Sequence, residues 1–404
     1  MHSFDLHLPT RLLFGAGHLK NFCHHISGSG HRIFLVTGKG SVKKLGYLDL
    51  VLNQLRQHNP EIEIFQGIGS NPDAAAINRA GEQARDFGAD VVLGFGGGSV
   101  MDASKCVAAL ARTGEKDIWP FTKGQPRYGT LTGALPVAAI PTTAATGSEV
   151  TAVAVVSKPE VQGKASVGAG FLKPFISWLN PEFTTKLNAQ TTSDGASDIL
   201  SHVFENYLLG GNTSPLADRY SEGIIDTVIR ILPKVHRNPD DRMLRGDMLW
   251  ASSLALNGFQ QAGRNPSQFV LHAMEHSLSG FNPALSHGRG LAALYPAYFR
   301  WLLAHGRAAG RFNQLAVKIF HFEPSDPTFT SFSFIDRFED WLRANGLYHS
   351  LPELGINQEH YREIAEYTVR INSGGAGHLD ALGPLTSDDI VDIFQATEKQ
   401  VSAV

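Results

Sequence analysis

The first half of the chain alternates short apolar runs with longer amphipathic segments. Apolar runs of this length, bounded by glycine or proline, predict buried strands, and the amphipathic segments between them predict helices. Strands that alternate with helices are typical of a parallel sheet covered on both faces. The predicted strands are residues 32–37, 61–67, 90–99 (leaving through a glycine turn) and 135–140, and the predicted helices are 46–56, 73–89 and 99–114.

Beyond about residue 185 the pattern changes, and helical periodicity dominates to the C-terminus. A length of 404 residues also favours two domains over one, because a single hydrophobic core rarely serves so long a chain. We therefore predict an α/β domain over residues 1–185 and an all-helical domain over 186–404. The clearest helical segments of the second domain are 186–208, 215–233, 241–263, 266–279 and 289–304.

Composition narrows the class of protein. Apolar residues make up 43% and charged residues 18%, which fits a compact globular protein. The formal net charge of −3 provides no basic field for nucleic acid or an anionic membrane. Two cysteines cannot build a disulfide framework, and the N-terminus lacks a signal-peptide pattern. With no apolar run near the roughly 20 residues of a membrane span, we expect a cytoplasmic protein.

Two glycine-rich turns follow predicted strands. In 94-GFGGGSVMDASK-105 three glycines join a strand to a helix, and a second such turn is 38-GKGS-41. Glycine lets the backbone approach a ligand, and a helix N-terminus offers free N–H groups to phosphate. Neither turn has the G-x-G-x-x-G spacing, so the first alone is equally compatible with a simple tight connection. Both turns together favour a dinucleotide.

The stretch 141-PTTAATGSE-149 follows another predicted strand and is rich in hydroxyl groups and small residues. This composition suits a loop against a ribose or a pyrophosphate. A polar surface loop explains the same composition equally well, so the residues alone leave both interpretations open.

Three histidines lie within 272-HAMEHSLSGFNPALSHG-288. His272 and His276 are four residues apart on a predicted helix, so they project from one face. His287 follows a break at residues 280–283, where the chain can turn back towards them. Such spacing permits metal binding but also occurs in ordinary helices.

Upstream, Asp198 and His202 are again four residues apart. Their helix has an apolar opposite face, so periodicity alone favours a polar face exposed to water. A polar face lining a cleft gives the same pattern. One carboxylate and several imidazoles without a thiolate suit Fe²⁺, Zn²⁺, Mn²⁺ or Co²⁺, and the lack of cysteine argues against a structural zinc site.

Taken together, these motifs resemble the iron-containing (group III) alcohol dehydrogenase family, and within it the butanol-dehydrogenase-like branch. The resemblance spans essentially the whole chain. The motifs that carry it are 96-GGGSVMDASK-105, 141-PTTAATGSE-149, 198-DILSHVFENY-207 and 272-HAMEHSLSGFNPALSHG-288. It implies a Rossmann-like dinucleotide-binding domain with a parallel sheet, followed by an all-α metal-binding domain, as in dehydroquinate synthase-like architectures.

The resemblance also implies roles for individual residues. The metal ligands would be Asp198, His202, His272 and His287, holding one divalent ion, Fe²⁺ or alternatively Zn²⁺. His276 would be a catalytic neighbour of the nicotinamide and the substrate rather than a ligand. Its spacing of eleven residues to His287 is one longer than in more familiar members. The cofactor contacts would be Gly97, Gly98, Ser99, Asp102, Thr142, Thr143, Thr146 and Lys164.

The turn at 38–41 bears on cofactor choice. NAD-preferring members of the family tend to carry an Asp where this chain has Gly38, and that carboxylate would repel a 2′-phosphate. Lys39 and Ser41 would instead contact a phosphate favourably, so NADP(H) is favoured over NAD(H).

The implied activity is reversible hydride transfer between a nicotinamide cofactor and a primary alcohol or aldehyde. Two alternatives remain at the level of sequence: a dehydroquinate-synthase-like metal-dependent lyase, and a non-catalytic nucleotide-binding protein on the same fold. The resemblance further implies a homodimer formed through the N-terminal strand region, residues 3–9.

Overall fold

A computed structural model describes residues 2–58, 60–211 and 214–401, with side chains as far as residue 398. The strands are β1 (Arg11–Phe14), β2 (Arg32–Gly38), β3 (Glu61–Ile68), β4 (Val91–Gly96), β5 (Val137–Pro141), β6 (Val153–Lys158), β7 (Gly163–Gly168), β8 (Ile176–Leu179), β9 (Leu379–Asp380) and β10 (Pro384–Leu385). The α-helices are α1 (Leu19–Ser27), α2 (Ser41–Lys44), α3 (Tyr47–Arg56), α4 (Ala74–Phe87), α5 (Gly98–Thr113), α6 (Ala189–Leu209), α7 (Pro215–Arg237), α8 (Arg242–Leu256), α9 (Val270–Phe281), α10 (His287–Ala304), α11 (Ala309–Phe320), α12 (Ser333–Ala344), α13 (Tyr361–Asn372) and α14 (Ser387–Val401).

The chain forms two compact units. The α/β unit comprises His7–Leu187 together with Pro239–Ser253. The helical unit comprises the N-terminal residues through Leu6, residues Asn188–Asn238, and the chain from Leu254 onward. The predicted boundary between residues 185 and 186 therefore misplaces two short segments. The residues through Leu6 belong to the helical unit, and Pro239–Ser253 belongs to the α/β unit.

The α/β unit is built on six parallel strands in the order β1-β8-β5-β4-β2-β3. Side chains of α1 and α3 pack on one face of the sheet, and those of α4 and α5 pack on the other. With both faces covered, the central strands are almost continuously apolar and buried, as in β4. The predicted parallel sheet is confirmed.

A separate antiparallel hairpin, β6–β7, follows the sheet strand β5. The apolar pattern did not predict it. Ala154, Val156, Ala165 and Val167 on its inner face join the same core as α4 and α5. The hairpin therefore extends the apolar layer on that side of the sheet.

In the helical unit, α6 lies at the centre of the packing. Phe204 of α6 contacts the rings of Tyr295, Phe299, Phe334 and Phe338, which belong to α10 and α12. Apart from the two-residue pairing of β9 with β10, the described part of this unit is helical, which confirms the predicted all-α domain. Among the described residues, no helix is both long enough and apolar enough to cross a lipid bilayer.

Candidate metal centre and nucleotide-binding turns

The helix α6 carries Asp198 and His202 on one face, as their spacing predicts. Their exposed fractions are only 2% and 6%, and Asp194 and Glu205 on the same face are also buried. The interpretation of this face as solvent-exposed is therefore wrong. Because other helices surround α6, its polar face lines the inside of the helical unit.

Three imidazoles converge on one carboxylate oxygen of Asp198. His272 lies in the first turn of α9, and His287 is the first residue of α10. The Nε2 atoms of His202, His272 and His287 lie 3.7, 3.8 and 3.4 Å from Asp198 Oδ1. The structure thus brings together the four predicted ligands, which come from three different helices.

This arrangement fits a divalent cation. Asp198 Oδ1 is buried and accepts no hydrogen bond, although three imidazole nitrogens lie around it. Ligand atoms held about 2.1 Å from a shared tetrahedral centre are separated by about 3.4 Å, close to the observed spacings. A bound cation would satisfy the buried oxygen, and the N₃O donor set suits Fe²⁺ or Zn²⁺.

The electrostatics of the cluster stabilise the charged forms of Asp198 and His272 and the neutral form of His202. Burial alone would lower the pKa of His272, but the carboxylates of Glu205 and Asp198 outweigh it and raise the pKa to about 9. Burial would raise the pKa of Asp198, yet the neighbouring His202 and His287 hold it well below its usual range. At His202 burial dominates and lowers the pKa to about 3.

Two buried glutamates orient two of the imidazoles predicted as metal ligands. Glu205 accepts a hydrogen bond from His272 Nδ1 and another from the backbone N–H of Leu271, while Glu275 contacts His287 Nδ1. By engaging Nδ1, each carboxylate turns the Nε2 atom of its histidine towards Asp198. Neither glutamate is predicted as a site residue from the sequence. The one available signal is that Glu205 lies seven residues after Asp198, on the same helix face.

His276 lies beside this cluster. Its ring centroid is 5.1 Å from that of His287 and 6.0 Å from that of His272. Ligand atoms of Glu275, His276 and His287 also lie within 4.8 Å of one another. His276 is therefore close enough to act on a molecule held at the centre.

In the α/β unit, three predicted cofactor segments meet at one edge of the sheet. The turn 38–41 follows β2, the turn 97–99 follows β4, and the loop 142–146 follows β5. These strands are neighbours in the order β5-β4-β2, so their carboxyl ends lie side by side. The strand order reverses between β2 and β4, which is where parallel sheets of this kind bind nucleotides.

The turn after β4 and the loop after β5 pack directly on each other. The backbone N–H of Thr142 donates to Gly96 O at 2.9 Å. A Cβ atom at Gly98 would lie 2.4 Å from Thr146 Cγ2, and one at Gly97 would lie 3.3 Å from Thr143 Oγ1. Glycine is therefore required at position 98 by close packing against Thr146.

Other predicted contacts have partners inside the unit. Ser99 Oγ donates to the carbonyl of Ser70. Asp102 is buried, and its two oxygens accept from Ser148 Oγ at 2.5 Å and from Val155 N at 2.9 Å. Burial raises the pKa of Asp102, opposed by nearby charges that include Lys164 on β7. The structure thus places Asp102 where it holds the loop after β5 and the hairpin against α5.

At the turn after β2, the side chains of Lys39 and Ser41 are exposed. A Cβ atom at Gly38 would lie 3.6 Å from Ile68 O and 3.7 Å from Val100 Cγ2, which are ordinary contact distances. Position 38 therefore has room for a side chain, and its lack of a carboxylate is a property of this sequence rather than of the fold.

Comparison with known proteins supports the same reading of both units. Residues 9–181 match the family described as iron-containing alcohol dehydrogenase, and residues 192–397 match its C-terminal counterpart. The chain is similar to NADH-dependent butanol dehydrogenase A of Clostridium acetobutylicum, with 31% identity over 98% of this chain and 99% of that protein. It is also similar to an NADPH-dependent aldehyde reductase of Escherichia coli, with 33% identity over 74% of this chain and 75% of the reductase.

Solved structures agree with this comparison. The crystal structure of NADH-dependent butanol dehydrogenase A from Thermotoga maritima matches with a TM-score of 0.92 and 31% identity, over 98% of this chain and 99% of the other. The resemblance seen in the motifs is confirmed. With both units matched along their length, this chain belongs to the iron-containing alcohol dehydrogenase family.

Proposed function

We propose that this protein is a metal-dependent, NAD(P)H-linked alcohol dehydrogenase and aldehyde reductase. It interconverts a primary alcohol and an aldehyde by hydride transfer. The observation that carries the proposal is the convergence of three imidazoles on the buried, hydrogen-bond-free oxygen of Asp198. Relatives named as butanol dehydrogenases and as an aldehyde reductase support the substrate class.

Asp198, His202, His272 and His287 hold the ion, which we propose to be Fe²⁺, with Zn²⁺ as the alternative that the same donors accept. A divalent ion bound at this position would act as a Lewis acid and stabilise the negative charge that develops on the substrate oxygen. Glu205 and Glu275 keep His272 and His287 oriented for this role.

Residues beside the metal centre exchange the proton and shape the substrate site. His276 exchanges the proton that the substrate oxygen gains when an aldehyde is reduced and loses when an alcohol is oxidised. Phe269 is partly buried, and its ring centroid lies 5.2 Å from that of His272. Its apolar surface limits the access of water to the centre and favours a hydrocarbon substituent on the substrate.

The nicotinamide cofactor supplies or accepts the hydride. We propose that its phosphates bind where the turns 38–41 and 97–99 and the loop 142–146 meet. Relatives include both NADH- and NADPH-dependent proteins, so the preference depends on this chain's own residues. We propose NADP(H), because position 38 lacks a carboxylate and the exposed Lys39 and Ser41 adjoin it.

The substitution Gly38→Asp tests this preference. The new carboxylate fits sterically and would repel a 2′-phosphate by about 1–4 kcal/mol. We expect the ratio of kcat/KM for NADPH to that for NADH to fall at least about fivefold. The matched control Asn53→Asp adds the same charge on an exposed position of α3 and should leave the ratio unchanged. An unchanged ratio in Gly38→Asp would show that this turn does not select the cofactor.

We also propose a homodimer formed through the N-terminal segment, residues 3–9. Phe4 and Leu8 are about half exposed, at 50% and 49%, and β1 pairs on only one side within the described chain. Residues 2–10 form no regular strand in the single chain. Light scattering from the purified protein measures the mass directly, and a monomer would contradict the proposal.

A further inference from the structure

The ligand His287 reaches the centre in a different way from the others. It is the first residue of α10 and follows a loop, residues 282–286, rather than lying within a helix. A residue at the junction of a loop and a helix has no helical turn before it to fix its position. Besides its own contact with Glu275, its placement therefore depends on contacts made by its neighbours along the chain.

Those contacts are made by Asp194 of α6. Asp194 Oδ2 accepts a hydrogen bond from Ser286 Oγ at 2.7 Å, and Oδ1 accepts one from Arg289 Nε at 3.0 Å. Asp194 is buried, with an exposed fraction of 8%. We call these three residues the Asp194 clasp. Its two contacts lie immediately before and two residues after His287.

The backbones of α6 and α10 also approach each other closely beside the Asp194 clasp. A Cβ atom at Gly288 would lie 1.9 Å from the carbonyl oxygen of Asp194, so only glycine allows this approach of α10 to α6. The backbone N–H groups of Arg289 and Gly290 donate to Ser286 O at 3.1 and 2.9 Å, which starts the helix at this point. The first turn of α10 thus rests directly on α6.

The Asp194 clasp also lies next to the proposed metal centre along α6. Asp194 and Asp198 are separated by one helical turn and share a face of α6. The same helix therefore holds both the carboxylate at the centre and the anchor for the segment that delivers His287. A shift of the start of α10 would move His287 Nε2 away from Asp198 Oδ1, now 3.4 Å distant.

We propose that Asp194 is a positioning residue, and that the Asp194 clasp fixes His287 as the fourth metal ligand. This inference rests on the proposed function, because it assumes that the four residues bind a metal. It accounts for how a ligand that follows a loop, eleven residues after His276, is brought to the centre.

A different explanation makes an opposite prediction. If Asp194 acted only through its negative charge, its loss would weaken cation binding, and loss of the positive Arg289 would strengthen it. If the clasp acts by holding His287, the loss of either partner weakens binding. The variants Asp194→Asn and Arg289→Met therefore separate the two explanations, because only the direction of the change in cation binding in Arg289→Met differs between them.

The experiment is a titration of the chelator-stripped protein with Co²⁺, followed by the visible absorption of the bound ion. We expect Asp194→Asn and Arg289→Met each to raise the Kd about 10- to 100-fold, as removal of groups that orient ligands usually does. Ser286→Ala, which removes a single hydroxyl, should raise it less. In a His287→Ala background, Asp194→Asn should have no further effect, because its action passes through His287.

The matched control is Asp218→Asn. Asp218 also joins two partners in the helical unit, with Arg264 Nη2 at 2.7 Å and Arg311 Nη1 at 2.9 Å, but it contacts none of the proposed ligands. Its loss should lower thermal stability and leave the Kd for Co²⁺ unchanged. Circular dichroism checks that each variant is folded. If Asp194→Asn does not fold, Ser286→Ala still tests the Asp194 clasp.

Three results would overturn the inference while leaving the proposed function intact: an unchanged Kd in the clasp variants, tighter binding by Arg289→Met, or an equal loss in the His287→Ala background. Failure of the wild-type protein to bind Co²⁺ would overturn both the inference and the proposed function.

Discussion

Alanine in place of His272 is expected to abolish NAD(P)H-linked aldehyde reduction. The variant removes one of the four proposed metal ligands and leaves the buried carboxylate of Glu205 without its imidazole partner. A Lewis acid contributes several kcal/mol to stabilising charge on the substrate oxygen, so kcat/KM should fall by at least about 10³-fold. The measurement is the steady-state rate of cofactor oxidation, together with the metal content of the variant.

The same variant should bind reduced cofactor as the wild type does, because His272 belongs to the helical unit and the proposed phosphate-binding turns belong to the α/β unit. Cofactor fluorescence tests this point and serves as the control for folding. A His272→Ala protein that is free of metal yet reduces aldehydes at the wild-type rate would contradict the assignment.

The substitution His276→Ala should give the second largest effect, with a different signature. We expect the metal content to equal that of the wild type, because the four proposed ligands, Asp198 and the three imidazoles around its Oδ1, are unchanged. We expect kcat to fall by about 10²- to 10⁴-fold, the usual contribution of a positioned acid–base group. The measurements are elemental analysis and steady-state kinetics on the same sample.

Two results would revise the role of His276. A wild-type kcat in His276→Ala would remove it from the proton transfer. Loss of metal from the variant would instead make His276 a ligand, consistent with its closeness to Glu275 and His287. The neighbouring Ser277, whose hydroxyl donates to Ala273 O within α9, provides the control Ser277→Ala.

Much of the fold was predictable because its signals are local. Buried parallel strands are nearly continuous apolar runs, so β2, β4 and β5 were evident, and glycine turns marked where two of them end. The carboxyl ends of neighbouring parallel strands lie together, which accounts for the meeting of the turns at 38–41 and 97–99.

The hairpin β6–β7 was not predicted, because the apolar run of β6 is only four residues long before serine and lysine, and β7 mixes glycine, lysine and serine with two apolar residues. The sequence pattern also does not show that residues 239–253 belong to the α/β unit. There Ser253 Oγ donates to Glu149 Oε1 at 2.6 Å, and Phe14 contacts Trp250. Such long-range contacts leave no periodic signal in the sequence.

At the candidate centre, residue types were easier to predict than environments. The spacing of Asp198 and His202 placed them on one face, but it could not show that other helices cover this face. The orienting roles of Glu205 and Glu275 depend on the packing of α6, α9 and α10. Likewise, Asp102 looked like a cofactor contact, whereas its bonds to Ser148 and Val155 emerge only in three dimensions.

We propose that a divalent ion held by Asp198, His202, His272 and His287 is required for reversible hydride transfer. The most direct measurement strips the wild-type protein with a chelator, verifies the metal-free state by elemental analysis, and follows NADPH and NADH oxidation with short aldehydes. We predict that turnover disappears on stripping and returns when one equivalent of Fe²⁺, or of another divalent ion that these ligands accept, is added. Retained turnover in the verified metal-free protein would contradict the claim.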